Sequence, residues 1–273
     1  MPEPRMNPTA RRVLTAVILL AIFLPAILWA SAGLWQGLIA IVVALAAFEW
    51  ARLSAFPLMS ARLYAGLLAV IAWSLPVVLA DSWPDFQMGL FALAALFWLV
   101  VAPLWMLGRW AGERPVLRAA VGAALLLPTS AALVYLHARG PGVLVGTLAI
   151  VWIADTAAYF SGRRFGRHKL APAISPGKTW EGVAGALLAL AVYAAVLNGL
   201  AGLPLVSLFI VMAGLLYLSV LGDLFESWIK RLAGMKDSGT ILPGHGGVLD
   251  RVDALTSTLP IAAGILLWLE FAK

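Results

Sequence analysis

Long apolar runs separated by short polar segments form the dominant pattern of this chain. A helix needs about 20 apolar residues to cross the hydrocarbon core of a bilayer. The pattern predicts nine membrane-spanning helices: 13–30, 34–51, 62–80, 88–107, 116–136, 141–161, 180–199, 204–228 and 249–270. Several prolines fall inside these helices, where they are tolerated and can kink the chain: Pro25, Pro76, Pro103 and Pro128. We therefore predict an all-α integral membrane protein, built as a single polytopic domain over 1–273.

The cationic residues are distributed unevenly between the segments that join these helices. With the N-terminus placed in the cytoplasm, only Arg139 and Lys273 of the 19 Lys and Arg residues fall on the opposite side. The acidic segment with Asp81 and Asp85 also falls there. Because Lys and Arg are enriched in cytoplasmic loops, we predict a cytoplasmic N-terminus and a C-terminus on the opposite side. With eight or ten helices, the cationic segments would no longer all fall on the cytoplasmic side. The charge bias therefore also supports nine helices.

Composition agrees with a membrane protein. Hydrophobic residues make up 63% of the chain and the mean hydropathy is +0.96, whereas soluble domains are about 45–50% apolar. The net charge of +6 is explained by cationic cytoplasmic loops, so no nucleic-acid partner is expected. The chain has no cysteine, which excludes disulfides and cysteine-ligated metals. The segments predicted to lie outside are short, so chemistry on a soluble substrate is expected in the long cytoplasmic segments 161–179 and 230–253.

Acidic residues gather near the cytoplasmic ends of three predicted helices. Ionisable groups are costly inside a membrane and by default mark a functional site. Asp155 lies in the sixth helix, Asp223 and Glu226 lie in the eighth, and Asp250 and Asp253 open the ninth. Ion pairing with a nearby Lys or Arg at a helix end could explain a single acid of this kind. It is a poorer explanation for five acids at the same depth in the membrane. Clusters of oxygen ligands suit Mg²⁺, whereas the three histidines are far apart and do not indicate zinc.

Helical spacing places some of these polar groups on shared faces. Residues at i, i+3, i+4 and i+7 of a helix lie on one face. The eighth helix carries such a set: Asp223, Glu226, Ser227 and Lys230. We therefore expect these side chains to point into one site.

The first polar segment is "SGRRFGRHKLAPAISPGKTWEG", residues 161–182. Its cationic cluster, Arg163 to Lys169, is equally well explained by topology or by attraction to anionic lipids. The "GKT" run resembles the end of a P-loop, but Pro172 stands where that motif requires its first glycine, so a P-loop is excluded.

The end of this segment predicts a helix start. Ser175 is expected to cap the seventh helix, with Pro176 at its first position. Lys178 and Thr179 then lead into the helix. A helix N-terminus beside a lysine favours phosphate binding, so this segment is a candidate phosphate site.

The second polar segment is "KRLAGMKDSGTILPGHGGVLDRVD", residues 230–253. Its glycines allow tight turns and close approach to a ligand, although a flexible connector is the alternative interpretation. Cations precede the loop, and two carboxylates and an arginine follow it: Lys230, Arg231 and Lys236, then Asp250, Arg251 and Asp253. Phosphoryl or nucleotidyl transfer requires this combination of phosphate-binding cations and metal-binding carboxylates.

Residues 227–253, "SWIKRLAGMKDSGTILPGHGGVLDRVD", resemble the signature of the phosphatidate cytidylyltransferase (CDP-diacylglycerol synthase) family. That pattern is Ser-x-x-Lys-Arg, four residues, Lys-Asp, a glycine-rich His-Gly-Gly, and Asp-Arg-x-Asp. Every fixed position is met, by Ser227, Lys230, Arg231, Lys236, Asp237, His245, Gly246, Gly247, Asp250, Arg251 and Asp253. The segment 155–182 is similar to the family's upstream polar motif. The resemblance in motifs therefore covers about 150–255, whereas the first 140 residues match only as apolar runs.

The resemblance implies that CTP and phosphatidic acid react to give CDP-diacylglycerol and pyrophosphate, with Mg²⁺ and a second cation left open. It implies Asp223 and Asp250 as metal ligands, with Asp253 and Glu226 as second choices. The expected catalytic set is Asp223, Lys230, Arg231, Lys236, Asp237, His245, Asp250, Arg251 and Asp253. The expected substrate-binding set is Asp155, Lys178, Thr179, Glu181, Ser227, Gly246 and Gly247. It also suggests a homodimer in the lipid bilayer of a bacterial inner membrane, with its active site facing the cytoplasm.

Two other functions of polytopic membrane proteins fit the sequence less well. A transporter for an anionic solute would place its site near the bilayer midplane between repeats, and no repeat is evident in the sequence. A CDP-alcohol phosphotransferase would carry an Asp-Gly-x-x-Ala-Arg run, which does not occur. In the favoured reaction a phosphate dianion is already the nucleophile, so His245 is expected to shape the loop or contact phosphate rather than act as a base.

Overall fold

Nine helices and a short hairpin form the part of the chain that the computed structural model describes, residues 7–78, 82–108 and 114–272. The helices are α1 Pro8–Trp29, α2 Ala32–Leu53, α3 Leu58–Val78, α4 Trp83–Leu107, α5 Pro115–Ala138, α6 Pro141–Phe165, α7 Trp180–Ala201, α8 Leu205–Leu232 and α9 Leu249–Phe271. Strand β1, Lys169–Ala171, pairs antiparallel with β2, Ser175–Thr179, between α6 and α7.

Helices α2 to α9 are each long and apolar enough to cross a membrane, and the apolar part of α1, Val13–Trp29, is shorter. The predicted all-α polytopic membrane fold is therefore confirmed, with the hairpin as a small addition. The orientation of the termini stays a prediction. Parts of the sequence-based prediction lie outside the described residues: 79–80 of the third span, Arg5, Asp81, Arg109 and Lys273.

Helix α4 contains a π-helical turn, Phe97–Val101. Pro103 follows this turn, and proline lacks an N–H while its ring clashes with the carbonyl four residues earlier. The wider turn relieves this conflict, and the backbone N–H of Ala102 donates to the carbonyl of Phe97. The departure from regular α-helix in α4 therefore has an identifiable cause.

The helices pack in two groups. In the larger group an aromatic cluster joins α4 to α8, and the ring centroids of Trp98 and Trp105 lie 5.5 and 6.1 Å from that of Phe225. The smaller group lies between α6, α7 and α8, where Ala154 and Ala186 are buried. Small residues at such contacts let membrane helices approach closely. Helices α6 and α8 contribute side chains to both groups and thus connect them.

The start of α7 differs from the sequence-based prediction. Residues 175–179 form strand β2, and Thr179 is the N-cap, so the prediction that Ser175 caps the helix and Pro176 begins it is wrong. Pairing with β1 holds Ser175 and the residues after it in extended conformation, and the Thr179 hydroxyl accepts a hydrogen bond from the N–H of Gly182 at 3.1 Å. Lys178 consequently projects from a strand, immediately before the helix N-terminus.

Candidate active site

A cavity of about 560 Å³ lies between α6, α7, α8 and the hairpin. Its charged lining comes from Asp155, Arg163, Lys169, Lys178 and Asp223. Alanine, valine and leucine side chains of the three helices supply its apolar lining, and tyrosine, serine, threonine and glycine residues contribute as well. A cavity that combines cations, carboxylates and apolar groups can receive a molecule that has both an anionic and an apolar part.

The closest charged contact in this cavity joins the hairpin to α8. The ammonium of Lys178 lies 2.6 Å from Oδ2 of Asp223, and the hydroxyl of Ser227 donates to Oδ1 of Asp223 at 3.3 Å. Asp155 interacts electrostatically with both Lys178 and Asp223. Three of the residues predicted to bind substrate are therefore arranged around one predicted metal ligand.

A second charged cluster surrounds Lys230, whose exposure is only 8%. Its ammonium lies 2.6 Å from Asp250 and 3.5 Å from Glu226. Asp253 lies beside Glu226 and interacts electrostatically with Asp223. Lys230 is therefore held by two carboxylates, and it does not appear among the residues that line the described cavity.

The glycine-rich loop between α8 and α9 is folded into a defined turn. Leu242 and Gly246 form an isolated antiparallel bridge, in which the N–H of Leu242 donates to the carbonyl of Gly246 at 2.9 Å. Gly246 has φ of +81°, a conformation that L side chains rarely adopt. The N–H of His245 donates to the carbonyl of Leu242 at 2.9 Å, so the His-Gly-Gly run is part of this turn.

Asp250 anchors this loop to the start of α9. Its carboxylate accepts hydrogen bonds from the backbone N–H of Gly247 at 2.8 Å and from that of Ser238 at 3.0 and 3.2 Å. It also accepts one from the ammonium of Lys230 at 2.6 Å. A carboxylate has about four acceptor positions, and three donors from the loop and α8 occupy most of those of Asp250.

Three other residues predicted for the site stabilise the glycine-rich loop or the hairpin: Arg231, Arg251 and Glu181. Arg231 donates to the carbonyl of Ile174 at 3.5 Å and Arg251 donates to that of His245 at 3.0 Å. Glu181 accepts from the N–H of His168 and lies 2.6 Å from Nδ1 of the same residue. Glu181 thus closes the base of the hairpin, and it lies outside the set of cavity-lining residues.

The remaining predicted residues belong to the loop itself. Lys236 and Asp237 are exposed. Nδ1 of His245 is buried and has no hydrogen-bond partner among the described residues. A ring nitrogen in that position is not in contact with solvent, which fits a structural place for His245 in the loop.

Sequence reasoning missed Glu49, in α2. Its carboxylate accepts hydrogen bonds from the hydroxyl of Ser238 at 3.0 Å and from the N–H groups of Val248 and Leu249 at 3.1 and 2.8 Å. A signal was present, because Glu49 is a lone acid inside an apolar predicted span and such acids by default mark functional sites. Its distance in the sequence from the recognisable motifs concealed its connection with them.

Comparison with known proteins identifies relatives over nearly the whole chain. The sequence model of the Cytidylyltransferase family matches residues 10–269. The phosphatidate cytidylyltransferase of Pseudomonas aeruginosa is 37% identical over 267 residues, which cover 94% of this chain and 96% of that protein. The protein of the same name from Staphylococcus haemolyticus is 35% identical over 257 residues, covering 92% and 96%. That of Haemophilus influenzae is 38% identical over 206 residues, covering 70% and 64%.

Proposed function

The chain belongs to the Cytidylyltransferase family, and we propose that it makes CDP-diacylglycerol and pyrophosphate from CTP and phosphatidic acid. The relatives with full-length matches carry the name phosphatidate cytidylyltransferase. The observation that carries the proposal is the cavity in which Lys178 from strand β2 and Asp223 from helix α8 meet beside apolar helix surfaces. The anionic part of such a cavity suits phosphates, and the apolar part suits a lipid.

In the proposed reaction an oxygen of the lipid phosphate attacks the α-phosphorus of CTP. A new P–O bond forms, the bond from the α-phosphorus to the oxygen that bridges to the β-phosphorus breaks, and pyrophosphate leaves with that oxygen. The nucleophile is already an anion, so no proton has to be removed. Catalysis of such a transfer consists mainly of positioning and charge neutralisation. Arg163, Lys169 and Lys178 line the cavity and are the cations that would bind the phosphates.

A divalent cation fits the chemistry of the carboxylates around the cavity. The donor set consists of oxygen atoms, which Mg²⁺ prefers. Next to this set, Oε1 of Glu226 lies 3.5 Å from the ammonium of Lys230, and its carboxyl group lies beside that of Asp253. A further positive charge nearby would offset the repulsion between these two acids. Bound Mg²⁺ would neutralise the phosphates of CTP.

Asp223 and Asp250 remain the proposed Mg²⁺ ligands, and Asp223 is the better placed of the two. Each oxygen of Asp223 has one contact, whereas the oxygens of Asp250 are already engaged by Lys230, Ser238 and Gly247. Asp250 would therefore have to exchange one of these donors for the cation. No group of three or more His, Asp or Glu side chains suited to a metal is found within residues 7–78, 82–108 and 114–272. A site with few protein ligands fits Mg²⁺, which keeps waters and binds substrate phosphates.

The proposed cellular setting follows from topology. We place the protein in a bacterial inner membrane, as a homodimer, with the cavity facing the cytoplasm where CTP is present. The cationic bias of the segments next to the cavity supports this orientation, and the homodimer is what the resemblance to the family suggests. Transport of an anionic solute is the alternative, and the family match does not favour it.

The decisive experiment uses purified full-length protein with CTP labelled in its α-phosphate, phosphatidic acid vesicles and Mg²⁺. The expected product is lipid-linked CMP, formed together with pyrophosphate in equal amount. Omission of phosphatidic acid serves as the control and should give no lipid product. A folded, monodisperse preparation that forms no lipid-linked CMP, yet exchanges a labelled anion across vesicles, would overturn this function in favour of transport.

A further inference from the structure

A buried carboxylate from the N-terminal half of the chain clamps the glycine-rich loop. Glu49, in α2, is 2% exposed, and its three hydrogen-bond donors belong to residues 238–249. Helix α2 lies outside the motifs that carry the family resemblance. Burying a carboxylate this deeply costs free energy unless hydrogen bonds compensate for the lost hydration. The three hydrogen bonds to Glu49 supply that compensation.

Two of those donors are the free N–H groups at the start of α9. The first N–H groups of a helix have no partner within the helix, and Val248, the N-cap of α9, supplies no side-chain cap. Glu49 accepts from the N–H groups of Val248 and Leu249 and so caps α9 from another helix. Its negative charge also lies at the positive end of the α9 dipole, which is a favourable position.

The loop is shaped to receive this carboxylate. A Cβ added to Gly239 would lie 2.3 Å from Oε1 of Glu49, and one added to Gly247 would lie 2.4 Å from Oε2. Both distances are far below van der Waals contact, so a side chain at either position would displace the loop or Glu49. The two glycines therefore form a close-fitting cradle for the carboxylate.

Ser238 connects this cradle to the charged cluster. Its hydroxyl donates to Glu49, and its backbone N–H donates to Asp250. Asp250 in turn accepts from Lys230. A continuous set of hydrogen bonds thus runs from Glu49 in α2, through the loop, to the carboxylate of Asp250 at the start of α9 and the ammonium of Lys230 at the end of α8.

We propose that Glu49 is a positioning residue for the transfer reaction: it fixes the glycine-rich loop and the first turn of α9, and thereby the placement of Asp250 and Asp253. The expected effect of Glu49 on kcat rests on the proposed function, whereas its effect on the structure of the loop does not. Because Glu49 does not line the cavity, its removal acts on the geometry of the site and not on direct contact with substrate.

The test compares Glu49→Gln with the unaltered protein in full-length, detergent-purified form. Glutamine keeps the size of the side chain but turns one acceptor oxygen into a donor group, so at least one of the three bonds is lost. We expect kcat to fall by about tenfold or more, which corresponds to the loss of one charge-assisted hydrogen bond, while KM for CTP changes less than about threefold. Amide hydrogen exchange should accelerate in 238–249 and stay unchanged in α7.

Ser54→Ala is the matched control. Ser54 follows α2 directly, is buried, and its hydroxyl has no hydrogen-bond partner among the described residues. This variant should leave both kcat and exchange in 238–249 unchanged. If Glu49→Gln does not fold, Ser238→Ala removes a single bond to Glu49 and should accelerate exchange in the same segment.

The proposal would be overturned by unchanged exchange in 238–249 in the Glu49→Gln and Ser238→Ala proteins, or by accelerated exchange with normal kcat. Exchange that rises equally in α7 and in 238–249 would also overturn it, since that indicates general destabilisation. If the unaltered protein forms no lipid-linked CMP, the proposed function fails separately, and the exchange data still decide whether Glu49 holds the loop.

Discussion

The ammonium of Lys178 lies 2.6 Å from the carboxylate of Asp223, and this contact joins strand β2 to helix α8. Both side chains line the cavity, and both remain partly exposed, at 24% and 32%. A pair of this kind is accessible to an incoming ligand, since a phosphate can attract the ammonium and a cation can attract the carboxylate. It contrasts with the pair between Lys230 and Asp250, whose side chains are only 10% and 6% exposed.

Asp223→Asn should abolish turnover while leaving the fold intact. The substitution removes the charge of the proposed metal ligand and leaves Lys178 without its partner, whereas a partly exposed ion pair contributes only about 0–1 kcal/mol to stability. We expect a loss of activity of about 100-fold or more in the lipid-linked CMP assay, with a nearly unchanged unfolding midpoint. Glu270→Gln, at the other end of α9 beside Arg139, is the control and should keep normal activity.

Asp250→Asn should abolish turnover and also destabilise the protein. The Asp250 carboxylate accepts from Lys230 and from two loop N–H groups, and breaking a buried charged pair typically costs about 3–5 kcal/mol. Thermal unfolding in detergent should show a clearly lower midpoint than that of Asp223→Asn. Equal midpoints for the two variants would contradict the role of Asp250 as the anchor of the loop, and near-normal rates in both would refute the metal assignment.

Gly222→Ala should disturb the contact between α8 and α9. A Cβ at Gly222 would lie 2.4 Å from the hydroxyl of Ser257 and 3.0 Å from the carbonyl of Asp253, so overpacking of about 1–3 kcal/mol is expected. Gly214→Ala, in the same helix, is the matched control because a Cβ there meets nothing within 4 Å. The free energy of unfolding should fall for Gly222→Ala only, and an equal effect in both variants would show that helix propensity dominates.

The predicted orientation can be tested because the chain has no cysteine. Arg52→Cys, in the last turn of α2, should react with a membrane-impermeant thiol reagent only after the inner membrane is opened. Leu203→Cys, between α7 and α8, should react in cells whose outer membrane alone is permeable. Both positions are exposed. The reverse labelling pattern would place the cavity on the side away from CTP and would contradict the proposed setting.

Local sequence determined the features that depend on a single helix. The lengths of the apolar runs predicted membrane helices, because a spanning helix must satisfy its backbone and cover the hydrocarbon core by itself. The spacing of Asp223 and Ser227 likewise predicted a shared face, and their side chains are in hydrogen-bond contact. These inferences needed no knowledge of distant residues.

Tertiary structure decided the features that depend on contacts between distant segments. Ser175 and Pro176 have the local pattern of a helix start, yet pairing with β1 makes this segment a strand. The sequence motif predicts that Lys230 binds phosphate, yet in the structure its ammonium is paired with Asp250 and Glu226.

Glu49 is the clearest case, because its partners lie about 190 to 200 positions away in the chain. Sequence by itself determined which helices form and which polar residues belong to the motifs. Only the packed structure decided which charges are buried against one another, since the cost of burying a charge depends on the groups that the fold brings beside it.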